Sequence, residues 1–196
     1  MTARHTVLGL ASLLFLAPEV EAQIPQVLRH LPRAGLTPAE TRPAIGVLGG
    51  PTSRAADADT GGGEFALFGE MPIDTGWRVR AELGGATWDM APTEQRSASQ
   101  LTLTRGTVGI YRVHGRGDLH SFIGGAVGLY RHRLSGAADS SLKGGAHIGM
   151  GAEYDGRRMG FATEVRVALA PNPTAHGGGT LHASVLFGLK RVFRAR

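Results

Sequence analysis

The 196-residue chain contains no cysteine, so no disulfide framework can hold it together. It also lacks any apolar run of the roughly 20 residues that a membrane-spanning helix requires. The longest such run, residues 7–17, falls well short of that. Aromatic residues make up only 6% of the chain. The net charge is +5, yet the basic residues form no run and no platform interleaved with aromatics. A nucleic-acid-binding surface is therefore excluded. What the chain does have in quantity is glycine, 30 residues without a collagen-like period. Glycines scattered through strand-like segments point to tight curvature or close packing inside a barrel. Stability without disulfides must then come from a closed hydrogen-bond network or a large core.

The first 22 residues are built like a cleavable signal peptide. Arg4 and His5 give a basic start, residues 7–17 an apolar middle, and Val20-Glu21-Ala22 a small-residue exit. Cleavage after Ala22 would remove Arg4, Glu19 and Glu21 and move the net charge from +5 to +6. Residues 23–41, with Pro25, Pro32 and Pro38, read as a periplasmic linker. Residues 42–196 then form a single domain.

From Arg42 onward the texture has period two, the signature of half-buried strands. In residues 77–83, Trp77, Val79, Ala81 and Leu83 share one face, with Arg78, Arg80 and Glu82 on the other. Residues 161–167 repeat the arrangement, with Glu164 and Arg166 on the polar face. In residues 145–154, Ala146, Ile148, Met150, Ala152 and Tyr154 oppose His147, Glu153 and three glycines. In the last segment, Val185, Phe187, Leu189 and Phe193 oppose His182, Ser184, Gly188 and Lys190. Residues 44–50, 64–71, 99–113 and 121–130 complete a set of eight. In 99–113, Leu101 and Leu103 share parity with Arg105, which predicts a bulge or a change of face.

The connections alternate between short and long. Residues 72–76, 114–118 and 155–158 are tight, with Asp155-Gly156 a favourable two-residue hairpin pair. Residues 51–63, 87–98, 132–142 and 171–180 are long and polar or rich in small residues. Outer-membrane barrels alternate in this way, with an even strand number, short periplasmic turns and long external loops. The predicted fold is all-β: an eight-stranded antiparallel up-and-down transmembrane β-barrel.

The contrast between faces decides for lipid over water. A soluble ligand-binding barrel turns its apolar face inward. Here the face opposite the apolar one carries Glu70, Arg78, Arg80, Glu82, Glu153, Glu164, Arg166 and Lys190 near mid-strand. These eight are expected to form an ion-pair network in a narrow lumen, which in an eight-stranded barrel is just wide enough to be filled by side chains. Buried pairs add little net stability, so plugging and register are the expected roles.

On these segments the chain resembles the small eight-stranded outer-membrane β-barrel family, over roughly residues 42–193 and in texture, without an invariant motif. The resemblance is carried by residues 77–84, 121–130, 160–166 and 186–193. It implies a terminal aromatic that the barrel-assembly machinery recognises. Phe193 matches it, with Phe187 and Leu189 on the same face, although Arg194-Ala195-Arg196 follow. It also implies outer-membrane lipids and lipopolysaccharide as surroundings, and a monomeric state.

Other motifs are weaker. Lipid A deacylases in this family use a His and a Ser two apart on a lipid-facing strand. His182-Ala183-Ser184 has that spacing but falls on the polar face with no acidic residue after it. The eight histidines form no metal-ligand spacing on one element, and His147 reads as a hydrogen-bonding lumen residue. Arg116-Gly117-Asp118 spells an adhesion tripeptide within ordinary turn chemistry. Asn172-Pro173-Thr174 fails the glycosylation pattern because of its proline. Gly61-Gly62-Gly63 precedes a strand instead of a helix and makes no phosphate loop. The expectation is a structural or interaction barrel with four external loops, no catalytic residues, no cofactor and no metal. A lipid A-modifying hydrolase or acyltransferase and a narrow channel are the alternatives.

Overall fold

The structure, a computed structural model, describes residues 42–54, 59–90, 99–135, 142–171 and 179–193. The proposed leader (1–22), the linker (23–41), the tips of the four long connections, Asn172-Pro173-Thr174 and Arg194-Ala195-Arg196 lie outside these.

Eight antiparallel strands close into one barrel in sequence order. They are β1 (Ala44–Arg54), β2 (Asp59–Asp74), β3 (Trp77–Met90), β4 (Ser99–Arg116), β5 (Leu119–Leu134), β6 (Leu142–Asp155), β7 (Met159–Pro171) and β8 (Gly179–Val192). Each strand pairs with the next, and β1 pairs with β8 from Ala44 opposite Val192 to Arg54 opposite His182. Just beyond that seam, Phe193 N–H donates to the Pro43 carbonyl at 2.8 Å. Closure leaves no unpaired sheet edge, the condition for a sheet to exist in lipid.

The strands run further than their hydrophobic alternation, and the turns shrink accordingly. Thr75-Gly76 joins β2 to β3 and Gly117-Asp118 joins β4 to β5. Gly76 (φ 70°) and Gly117 (φ 66°) adopt the left-handed conformation that a side chain disfavours. The third tight connection differs from the sequence expectation. Asp155 is the last residue of β6, paired with Gly160, and three residues (156–158) make the turn. Asp155 stays in the ladder because its carboxylate is drawn inward to Lys190 Nζ, 2.6 Å away. Gly61-Gly62-Gly63 lies within β2 rather than ahead of it.

The predicted bulge in residues 99–113 is also corrected. Pairing of β4 with β3 and β5 runs without a register shift. Leu101, Leu103, Arg105, Thr107, Tyr111 and Val113 are all buried on one face. Their shared parity is real: the lumen wall simply changes from apolar to charged and back along one strand. The register shifts lie instead between β2 and β3, at Asp59/Gly62 and Pro72/Asp74.

Inside and outside are chemically inverted relative to a soluble protein. Outward positions carry exposed large apolar side chains on every strand, including Leu83 at 69%, Val127 at 67% and Ile148 at 61% exposure. Inward positions are buried and mixed, with apolar groups clustering at separate levels. Trp88, Leu101, Leu103 and Tyr130 with Ala86 and Ala170 pack near the long-loop end. Leu48, Phe68, Ala162 and Leu186 form a second group, and Tyr111, Val113 and Phe122 a third.

Candidate functional site

The lumen concentrates the chain's ionisable side chains, and period-two geometry puts them there. Arg78, Arg80 and Glu82 occupy successive inward positions of β3, and Glu164 and Arg166 those of β7. Glu70 projects from β2, Glu153 from β6 and Lys190 from β8. All eight are at least 95% buried.

Arg166 is the hub. Its guanidinium donates to Glu164 Oε1 (2.8 Å), Glu64 Oε1 (3.0 Å) and Glu82 Oε1 (2.9 Å), so one cation links β2, β3 and β7. Arg80 donates to Glu70 Oε1 (2.7 Å) and Glu164 Oε2 (2.6 Å). Its guanidinium lies over the Tyr111 ring at 4.5 Å and the Phe68 ring at 4.9 Å, a cation–π arrangement that stays favourable without water. Toward the short turns, Arg78 NH1 donates to Glu153 Oε1 at 2.6 Å and lies 3.1 Å from Glu70 Oε2. Lys190 Nζ donates to Glu153 Oε2 at 2.8 Å. Two lumen tiers thereby share Glu70.

Four further residues complete the network. Glu64 accepts from Arg105 at 2.6 Å as well as from Arg166 and from the Ser184 hydroxyl. Asp155 takes the other side of Lys190. His120 lies 3.8 Å from Glu153 and 3.9 Å from Asp155, and its Nε2–H meets the Gly117 carbonyl at 2.8 Å. Among the described buried residues, six carboxylates face five permanent cations. His120 is the group whose protonation would level that count.

Glu64 opens the segment 64–71 and shares parity with Glu70 six residues on, so its inward position could have been read from the sequence. Asp155 was hidden by its turn-like Asp-Gly context, and Arg105 by the leucines two and four positions before it. The lumen has no room to spare. A Cβ on Gly149 would stand 2.5 Å from Glu164 Oε1, so glycine there is what admits the carboxylate.

His147 is clamped between two phenols, Tyr111 at 3.1 Å from Nε2 and Tyr130 at 3.2 Å from Nδ1. His182 stacks on Trp88 with ring centroids 4.7 Å apart. Ser184 Oγ donates to Glu64 and lies 2.9 Å from Thr52 Oγ1. His182 and Ser184 therefore both face the lumen, walled off from the surface where a lipid ester would lie. Two donor sets approach metal-binding geometry, Glu82–His147–Glu164 and His120–Glu153–Asp155, with ligand atoms within 4.8 Å of one another. In both, the carboxylates already engage Arg or Lys, so a divalent ion would have to displace a buried cation. The sets belong to the ion-pair network. The Arg116-Gly117-Asp118 tripeptide sits at a two-residue turn between β4 and β5.

Phe187, Leu189 and Phe193 all point outward and are exposed. Arg191 lies 5.8 Å from the Phe193 ring.

No protein-family profile matches the chain, and no curated protein does. Solved structures do. The crystal structure of Neisserial surface protein A aligns with a TM-score of 0.58 at 11% identity, covering 77% of this chain and 96% of that one. Ail, the attachment invasion locus protein of Yersinia pestis, aligns at 0.45 and 13% identity over 78% and 97%. The N-terminal β-barrel domain of Pseudomonas aeruginosa OprF aligns at 0.44 and 9% identity over 75% and 96%. The first establishes a shared fold, the small eight-stranded antiparallel barrel, and nothing narrower.

Proposed function

We propose that this chain is an outer-membrane β-barrel with a sealed lumen, a rigid structural scaffold whose external loops carry interactions. The observation that carries the reading is the inverted distribution of polarity. A belt of exposed Ile, Leu, Val and Phe surrounds a lumen of paired Arg, Lys and Glu. Water would penalise such a belt, and in lipid it costs nothing. Aromatics near the short-turn end strengthen the reading: Trp77 opens β3, Tyr154 is next to last in β6, and Phe193 follows β8. Their exposed rings suit an interfacial girdle.

The test is extraction and electrophoresis. The protein should partition with outer membranes, and its unboiled form should migrate differently from its boiled form while giving a β-rich circular-dichroism spectrum. Recovery as a water-soluble monomer would overturn the reading. In planar bilayers, the ion pairs bridging β2, β3, β6, β7 and β8 should prevent discrete openings, and regular single-channel steps would establish the channel alternative instead. Lipid A from cells with and without the gene should have the same acyl pattern, because His182 and Ser184 face away from lipid.

Phe193, with Phe187 and Leu189, is proposed as the recognition signal for the barrel-assembly machinery. Phe193→Ala is expected to lower the amount of inserted barrel in cells several-fold while leaving the urea midpoint of the purified barrel nearly unchanged. Equal insertion would remove the signal role, and an equal loss in both measurements would assign the ring to stability alone.

A further inference from the structure

One level of the lumen has donors without acceptors. At the long-loop end three inward rings meet: Trp88 from β3, His132 from β5 and His182 from β8, none more than 4% exposed. His182 stacks on Trp88 with ring centroids 4.7 Å apart, and its centroid lies 6.1 Å from that of His132. Trp88 Nε1, His132 Nε2 and both ring nitrogens of His182 are buried without a hydrogen-bond partner among the described residues. Indole can only donate, and an imidazole always carries at least one N–H. Trp88 and His182 therefore each present an unmatched donor, whichever tautomer His182 adopts. Buried donors are normally matched, so two of them on adjacent rings call for an acceptor.

The surrounding charge decides what kind of acceptor fits. The fixed charges acting on His132 belong to Arg54 and Lys143, and those acting on His182 to Arg54 and Arg105. All are positive. Arg54 has a partner of its own and Arg105 is held by Glu64, so neither counts as a ligand. Lys143 differs: it pairs in register with the inward Tyr130, is exposed at the rim, and has no ion-pair partner among the described residues. The carboxylate one inward position deeper, Glu64, already accepts from Arg105, Arg166 and Ser184. A water could accept from the two rings but would leave the positive potential unanswered, whereas an anion answers both. A single-atom anion about 3 Å from a nitrogen of each imidazole bridges His132 and His182 in a bent arrangement. Phosphate or sulfate would bring several oxygens to a level with too few donors for them.

We propose that the long-loop end of the lumen binds one halide-type anion, with chloride as its biological occupant. Trp88 Nε1–H and the imidazole N–H groups of His182 and His132 hold it, and Lys143 supplies charge at the entrance. The site stands apart from the ion-pair network, where every cation is already matched to a carboxylate. It goes beyond the scaffold reading and holds whether the outer belt meets lipid or water.

The chain has two tryptophans, so Trp77→Phe leaves Trp88 as the only fluorophore of its kind. Iodide, which quenches indole on contact, is titrated into this folded barrel in detergent, with gluconate holding the ionic strength constant. Quenching of Trp88 should saturate, and chloride should reverse it while sulfate does not. His182→Phe keeps a ring on Trp88 but removes the donor, and should leave only weak, linear quenching. Lys143→Gln should raise the half-saturating iodide concentration several-fold. Linear quenching that chloride leaves unchanged, saturation that survives His182→Phe, or an unchanged half-saturation in Lys143→Gln would overturn the site. Should His182→Phe lose the heat-modifiable band of the folded barrel, Lys143→Gln decides by the same criterion, because its side chain is exposed and packs no core.

Discussion

Replacing Arg166 by Met is expected to destabilise the barrel by about 3–5 kcal/mol, the usual cost of leaving buried charge without its partner. Three carboxylates lose a donor at once, but unequally. Glu64 keeps Arg105 at 2.6 Å and Glu164 keeps Arg80 at 2.6 Å. Glu82 is left with Arg80 at 3.5 Å and Arg105 at 3.7 Å. Most of the loss should therefore trace to Glu82. Adding Glu82→Gln to Arg166→Met should recover part of it, because a neutral amide needs no counter-charge. Urea unfolding in lipid vesicles measures this directly. An effect below about 1 kcal/mol would mean that water reaches the pair, since solvated ion pairs contribute only that much.

Val127→Arg is the second large expectation. Val127 points outward midway along β5 and is 67% exposed. In water an exposed Arg there would be nearly neutral in effect. At the bilayer midplane it should cost about 2–4 kcal/mol, falling to about 0–1 near an interface. Ser121→Arg, outward near the short-turn end of the same strand, is the matched control. A steep difference between the two substitutions identifies the solvent of the belt as lipid, and equal small effects would identify it as water.

The sequence made the staves legible where polarity and direction coincide. In residues 77–83 every inward side chain is charged and every outward one apolar, so parity alone assigns Arg78, Arg80 and Glu82 to one face. On β4 that equivalence fails. Leu101 and Leu103 are inward, where they cap the lumen with Trp88 and Tyr130, and Arg105 follows them on the same face. Polarity marks a side only when each side has one solvent, and the lumen offers apolar and ionic levels in turn. Asp155 escaped notice for a related reason. Its fitness for a turn is local, while its position in the ladder depends on Lys190, far along the chain. The choice of ionic partners was not legible at all, because it depends on cross-strand register around a closed sheet. Arg166 reaches Glu64, 102 residues away in sequence.

The inside-out arrangement is open to one direct measurement, made simple by the absence of native cysteine. Single cysteines at Leu83, Val127, Ile148 and Val165 can each carry a nitroxide in the barrel reconstituted into vesicles. Collision with oxygen, which concentrates in lipid, is then compared with collision with a water-soluble nickel chelate. All four positions should be accessible to oxygen and shielded from nickel, with the same result on β3, β5, β6 and β7. Strong nickel broadening at these positions would place the apolar belt in water and contradict the account.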